Sequence, residues 1–138
     1  MEHARPLPIP SPESEPFWEG LRHDKFLLQH CRACARINWF PRAYCMQCGG
    51  DAFDWRPASG RGRLETFSVV YRAMNEAWKS EVPYVLAWVR LDEGPMMVTR
   101  LVSNDLDSLA IDAPVEVRFV DSGGGFKLPF FEQVNRVV

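Results

Sequence analysis

The stretch Cys31-Arg32-Ala33-Cys34-Ala35-Arg36-Ile37-Asn38-Trp39-Phe40-Pro41-Arg42-Ala43-Tyr44-Cys45-Met46-Gln47-Cys48 holds all four cysteines of the chain. They form two C-x-x-C pairs with ten residues between them. Each such turn aims two thiolates at one point. Two turns facing each other place four sulfurs at tetrahedral corners, about 2.3 Å from a zinc ion. A site closed by four sulfurs has no open position for water, so the ion predicted here, Zn2+, is structural. The gap between the pairs is shorter than the roughly 15–20 residues of the common paired spacing. The hairpin 35–44 must therefore be tight: a short strand, a break at Pro41 and a return. Gly49, directly after the last cysteine, supplies the positive φ that a knuckle turn requires.

Other uses of four cysteines make other demands. Two disulfides would need an oxidising compartment. The opening residues, Met1-Glu2-His3 followed by prolines, lack the charged and then apolar regions of a secretory leader. No apolar run approaches the ~20 residues of a membrane span. These features predict a cytoplasmic protein without a membrane partner, in which thiols stay reduced. A redox C-x-x-C belongs at a strand-to-helix junction of a βαβ unit, which is not the pattern here. Iron in the same four-sulfur site would make the ribbon an electron carrier, and the sulfurs alone leave that open.

With 138 residues, 46% hydrophobic and 25% charged, the chain is sized for one compact domain or for a small ribbon plus one barrel. Five Trp and nine Phe are a heavy aromatic load for this length. Much of it is core, and the remainder is expected on a surface that faces a ligand or partner. The net charge of −2 argues against nucleic acid as the main partner. That charge is unevenly spread: −3 over residues 1–24, +5 over 25–63 and −4 over 64–138. Four thiolates on a dication bring the middle segment to about +3. A modestly basic ribbon suits a phosphorylated small molecule or an acidic protein surface. A plain solvated face is the alternative.

Working outward, residues 1–24 read as an extended proline-bearing tail and then a short helix. Ser11-Pro12-Glu13-Ser14-Glu15-Pro16 offers capping side chains, prolines tolerated in a first turn and acids near the positive dipole end. Phe17 and Leu21 repeat at i, i+4 beside Trp18, and the helix should end near His23 and Asp24. It is too short to stand alone, so its aromatic face must dock on the ribbon or on another subunit. Residues 25–57 are the metal module, with strands expected at 25–30, 37–40 and 53–56. Residues 58–138 read as all-β. Strands are expected at 63–72, 82–91, 96–101, about 115–119 and 126–134. A polar loop carrying Trp78 lies between the first two, and one helical turn, 104–109, lies between the third and fourth. The fold class is therefore mostly β: a short N-terminal helix, a rubredoxin-like zinc ribbon, and a five-stranded Greek-key barrel of the oligonucleotide/oligosaccharide-binding (OB) type. An open sandwich is the alternative architecture.

Little catalytic chemistry is left over. The thiolates are committed to metal. His3, His23 and His30 fall in the tail, at a helix end and beside the metal, and none belongs to a catalytic motif. There is no G-x-S-x-G, H-E-x-x-H or P-loop. Gly60-Arg61-Gly62-Arg63 opens a strand and so is not a dinucleotide fingerprint. Asp92-Glu93 and the pair Asp105/Asp107 sit in turns, where capping accounts for them. The expected work is binding, with no catalytic residue of its own.

Several ordered pieces carry a family resemblance. They are Glu15-Pro16-Phe17-Trp18-Glu19, the two cysteine pairs with Phe40-Pro41-Arg42 between them, and Ser59-Gly60-Arg61-Gly62-Arg63. Pro83-Tyr84, Leu91-Asp92-Glu93-Gly94-Pro95 and Leu128-Pro129 follow in order. Over residues 12–134 the chain resembles the small proteins that fuse a rubredoxin-like zinc ribbon to an OB-fold and associate with acyl-CoA enzymes. That resemblance implies an auxiliary, non-catalytic acyl-CoA-binding or scaffold subunit in lipid, sterol or polyketide-like metabolism. It implies a hetero-oligomer with a thiolase-like or hydratase subunit, whose own residues do the chemistry. The barrel would help enclose the pantetheine arm of coenzyme A. Arg61, Arg63 and Tyr84 are then candidate CoA contacts, and Phe17, Trp18 and Trp78 candidate partner contacts. An ordinary strand surface is the other reading of the two arginines. The chain departs from the resemblance at Ala35, where the family often has glycine. A nucleic-acid-binding module is the competing function, and it would need a basic groove with exposed aromatic rings.

Overall fold

The computed structural model describes residues 6–134. His3 and half of the expected N-terminal tail lie outside them. Helix α1 (Glu15–Arg22) begins with Pro16 in its first turn, where a missing N–H costs nothing. Ser14 is the N-cap by position, yet its hydroxyl does not cap the helix. It turns back to Ser11, taking that residue's N–H at 2.9 Å and donating to its carbonyl at 3.2 Å. The expected side-chain cap is thus replaced by a closed turn. Phe17, Gly20 and Leu21 face inward, and His23 ends the helix.

Strands β1 (Leu27–Cys31), β2 (Ile37–Asn38) and β3 (Phe53–Pro57) form an antiparallel sheet in the order β2-β1-β3. β1 starts two residues later than expected and runs into the first cysteine. β2 stops at Asn38, short of the expected Phe40. The reason is packing: Trp39 and Phe40 both turn to meet Phe17, with ring centroids 5.3 and 5.8 Å from it.

Strands β4 (Arg61–Val70), β5 (Tyr84–Leu91), β6 (Met96–Leu101), β7 (Pro114–Gly123) and β8 (Phe126–Gln133) close into a barrel in the order β4-β5-β6-β8-β7. Only β6 and β8 run parallel, meeting at Leu101 and Phe131. Closure leaves no open edge and excludes the sandwich. The expected helical turn is a 3-10 turn, Leu106–Ser108. β4 starts at Arg61, earlier than its apolar pattern suggests, because Arg61 and Gly62 pair with Glu116 and Val115 of β7. Gly62 is required there, since a Cβ would lie 2.4 Å from the Arg90 carbonyl oxygen.

Leu64, Val85, Val89, Met97, Val115 and Phe131 fill the barrel, each 2% exposed or less. Phe17, Leu21, Phe26 and Leu28 join the same cluster, so helix, ribbon and barrel share one core. Each such side chain stabilises the fold by about 1.5–3 kcal/mol. On β5 and β6, inward residues alternate with outward ones. Between the outward Arg90 and Arg100 the outward side chains are apolar and open: Leu86 is 44%, Trp88 44% and Val98 51% exposed. The run 82–91, nearly continuous in apolar residues, thus has only its alternate positions in the core.

Candidate metal centre and apolar cleft

The four cysteine sulfurs lie within 4.8 Å of one another. Cys31 Sγ is 3.5 Å from Cys48 Sγ, and Cys34 Sγ is 3.6 Å from Cys45 Sγ. A disulfide needs about 2.05 Å. A tetrahedron with bonds of about 2.3 Å separates its sulfurs by ~3.8 Å. The thiols are free, and their spacing fits a tetrahedral dication. The close pairs cross between the two motifs, so the knuckles face each other as the sequence predicts.

Backbone geometry builds each knuckle in the same way. In the first, Ala35 N–H donates to Cys31 O at 2.9 Å and Cys31 N–H to Arg36 O at 2.9 Å. In the second, Gly49 N–H donates to Cys45 O at 2.9 Å and Cys45 N–H to Gly50 O at 2.8 Å. Both turns put the residue after the second cysteine in the left-handed region, Ala35 at φ 64° and Gly49 at φ 77°. Two buried amides secure the loop between. Gln29 holds Arg42 twice, donating to its carbonyl at 2.8 Å and accepting its N–H at 3.0 Å. Asn38 Oδ1 accepts the Met46 N–H at 3.1 Å.

The electrostatics favour thiolates on a cation. Gln47 and Gly50 N–H groups reach Cys45 and Cys48 sulfurs at 3.4 Å each. The Cys45 thiol is drawn down to about 6, chiefly by the Cys48 backbone N–H and next by the Asn38 side chain. At Cys34 the Arg36 backbone N–H favours the thiolate, but desolvation and the neighbouring thiols outweigh it and push the group up to about 12. Four anionic sulfurs this close repel one another, and a bound dication lets all of them ionise. His30 lies on β1 outside the ligand set, its pKa lowered by burial and then by Arg56. Bound zinc would be held by Cys31, Cys34, Cys45 and Cys48. It would supply a cross-link and no open coordination position.

A cleft of about 700 Å³ lies between the ribbon and the outer wall of the barrel. Four of the five tryptophans line it: Trp18 from α1, Trp39 from the ribbon, Trp78 from a 3-10 turn (Glu76–Trp78) and Trp88 from β5. Leu86, Met96 and Val98 form the barrel wall. Arg100 is the cation in the lining. Its guanidinium lies over Tyr84 and Phe130 at 4.6 and 5.5 Å, and donates to Glu81 Oε1 at 3.2 Å. Size and lining match those of ordinary ligand and hot-spot pockets.

The structure brings Trp18, Trp78 and Tyr84 together in this cleft. Phe17 differs from a surface contact: it is 1% exposed and backs the cleft from within the core. Arg61 and Arg63 do not line the cleft. Arg61 Nε lies 4.0 Å from Glu116 Oε1, and Arg63 donates to the Asp112 carbonyl at 3.0 Å. On the β5–β6 face, where OB-folds hold single strands, Arg90 pairs with Glu65 at 3.4 Å and Arg100 with Glu81. That face presents apolar side chains, which does not fit a basic nucleic-acid track. Reading the sequence missed Leu86, Trp88, Met96 and Val98 as site residues. Their signal was present, since an antiparallel strand with one solvated face should alternate with polar residues and these do not.

No helix among the described residues is long and apolar enough to cross a membrane. Two family descriptions match adjoining stretches. "ChsH2, rubredoxin-like zinc ribbon domain" matches residues 18–54, and "ChsH2, C-terminal OB-fold domain" matches residues 55–120. The chain is 30% identical over 127 residues to a probable enoyl-CoA hydratase alpha subunit of Thermomonospora curvata, covering 92% of this chain and 39% of that one. It therefore spans about two fifths of that relative's length. A DUF35 domain-containing scaffold protein of Methanothermobacter thermautotrophicus is 32% identical, over 64% of this chain and 67% of that one. Among solved structures, an Ltp2-ChsH2(DUF35) aldolase chain superimposes with a TM-score of 0.83 at 28% identity, covering 92% of this chain and 98% of that one. The metal of this ribbon is zinc, which sets the iron alternative aside.

Proposed function

The chain belongs to the ChsH2 family of zinc-ribbon and OB-fold proteins, and from that premise we propose that it is a non-catalytic subunit of an acyl-CoA enzyme. Its partner is a hydratase, aldolase or thiolase-like protein of lipid or sterol metabolism in the cytoplasm. The observation that carries this reading is the cleft. Trp88, Leu86 and Val98 stand open on the barrel wall, and Trp18, Trp39 and Trp78 border them half-buried. Exposed apolar surface of this kind is retained where a partner or ligand covers it. The partner's surface closes over Trp18, Trp78 and Trp88. Acyl-CoA, where the complex holds it, meets Tyr84 at the cleft. Arg61 and Arg63 lie outside the cleft and would meet a phosphate only beyond it. The names of the relatives support this assignment, since two are hydratase and aldolase components and one a scaffold protein.

Co-expression with the hydratase, aldolase and thiolase-like proteins of the same genome tests the proposal. One of them should form a complex that survives gel filtration and turns over an acyl-CoA only with this chain present. Efficient turnover of acyl-CoA by the isolated chain, or no complex with any of the three classes, overturns it.

A further inference from the structure

We propose that Cys48 is an oxidation site for hydroperoxides, with Cys31 as the sulfur that resolves it into a disulfide. The four cysteines are not equivalent: Cys48 is exposed, Cys34 is half-buried, and Cys31 and Cys45 are 3% and 4% exposed. Oxidants select sulfurs that are both anionic and reachable. All four are thiolates when they hold a cation, so access separates them. The residue beside Cys48 keeps that access. A Cβ at Gly50 would lie 3.3 Å from Cys48 Sγ and 3.7 Å from Cys31 Sγ. Gly50 is not among the glycines at positive φ, so its backbone does not call for glycine. Its missing side chain leaves open the flank that the two sulfurs share. Cys31 Sγ is 3.5 Å from Cys48 Sγ, so a second sulfur stands ready to displace a leaving group on the first. The other crossing pair, Cys34 and Cys45 at 3.6 Å, has no exposed member.

The chemistry balances with the hydroperoxide as oxidant. The Cys48 sulfur attacks its terminal oxygen: an S–O bond forms, the O–O bond breaks, and alkoxide (hydroxide, from hydrogen peroxide) leaves and takes a proton from solvent. The Cys31 sulfur then attacks the Cys48 sulfenic acid; an S–S bond forms and hydroxide leaves. Each sulfur gives up one electron, and the peroxide takes both. The disulfide withdraws two of the four donors, and the two sulfurs left do not make a closed site for a dication. The ribbon then loses the cross-link that orders the hairpin carrying Trp39. The oxidation concerns the ribbon alone, so its test does not depend on what covers the cleft.

Treating the zinc-loaded full chain with an equimolar amount of hydrogen peroxide tests the assignment. A sulfenic-acid trap should label Cys48 ahead of the other three cysteines. Without the trap, alkylation and peptide mapping should find Cys31–Cys48 as the first disulfide, and a colorimetric indicator should find zinc released in step with it. Gly50→Ala should slow that release by about 3-fold or more, because its Cβ covers the flank of both sulfurs. A first disulfide within one motif, or one joining Cys34 to Cys45, overturns the assignment. So does oxidation confined to the exposed Met46 and Met74 with all four thiols intact. A Gly50→Ala chain that releases zinc as fast as the parent or faster also overturns it. If Gly50→Ala fails to fold, the disulfide map of the unaltered chain decides.

Discussion

The Trp39 ring stands edge-on to Phe17, with centroids 5.3 Å apart and planes at 72°. Trp39 lies between the two cysteine pairs in sequence, and Phe17 is the buried ring of α1. Both also line the cleft. The metal-ordered hairpin is therefore one wall of the surface assigned to the partner, and loss of the ion should be felt there.

Removing zinc by chelation, or by Cys45→Ala, should lower the melting midpoint by about 10 °C or more. It should also shift the tryptophan emission to the red as Trp39 leaves Phe17, and abolish partner binding. Calorimetry, fluorescence and gel filtration read the three effects. An altered ribbon that keeps its midpoint and its partner would show that the ion does not order the cleft.

Acid should have the same effect. The ligands bind as thiolates, and the Cys45 pKa is depressed to about 6. A depressed group contributes its full stabilisation above its ordinary value of 9.0 and loses it progressively as pH falls from there through the depressed one. Protons compete with the ion for all four sulfurs, so zinc should stay bound at neutral pH and be released progressively in acid, followed by a colorimetric zinc indicator.

The two knuckles offer a paired test of backbone strain. Ala35 occupies the left-handed region at φ 64°, where its Cβ is disfavoured by about 1–2 kcal/mol. Ala35→Gly relieves that strain against a somewhat smaller entropic cost, since glycine leaves the unfolded chain freer, for a net gain of about 0.5 kcal/mol. Gly49→Ala, at φ 77° with open space around it, should cost about 1 kcal/mol through strain alone. Denaturant midpoints of the zinc-loaded proteins check both signs.

Trp88→Glu should leave the isolated chain within about 0.5 kcal/mol of the parent, because the side chain is 44% exposed on the outside of the barrel. The same change should weaken partner binding by about 30-fold or more if Trp88 anchors the interface. Arg63→Glu, on the β4–β7 side, should leave that affinity unchanged.

The metal site was legible because its four ligands sit close in sequence and their spacing has few geometric solutions. The barrel was legible for a related reason, since period-two alternation and glycine turns mark strands locally. Two local misreadings share a cause: Ser14 turned to Ser11, and β2 stopped at Asn38. Each depends on what the folded chain brings nearby, which no local pattern records. Leu86 and Trp88 differ, because the nearly continuous apolar run 82–91 did record them. The cleft is the extreme case. It joins Trp18, Trp39, Trp78 and Trp88, drawn from four separate elements, and only the docking of α1 and the ribbon on the barrel assembles them.

Hydroxyl-radical footprinting of the chain, free and in complex with its acyl-CoA enzyme, tests the assignment of the cleft most directly. Trp78, Trp88 and Met96 should be oxidised readily in the free chain and protected several-fold in the complex. Protection confined to the Arg61–Arg63 side of the barrel, with the tryptophans still oxidised, would contradict it.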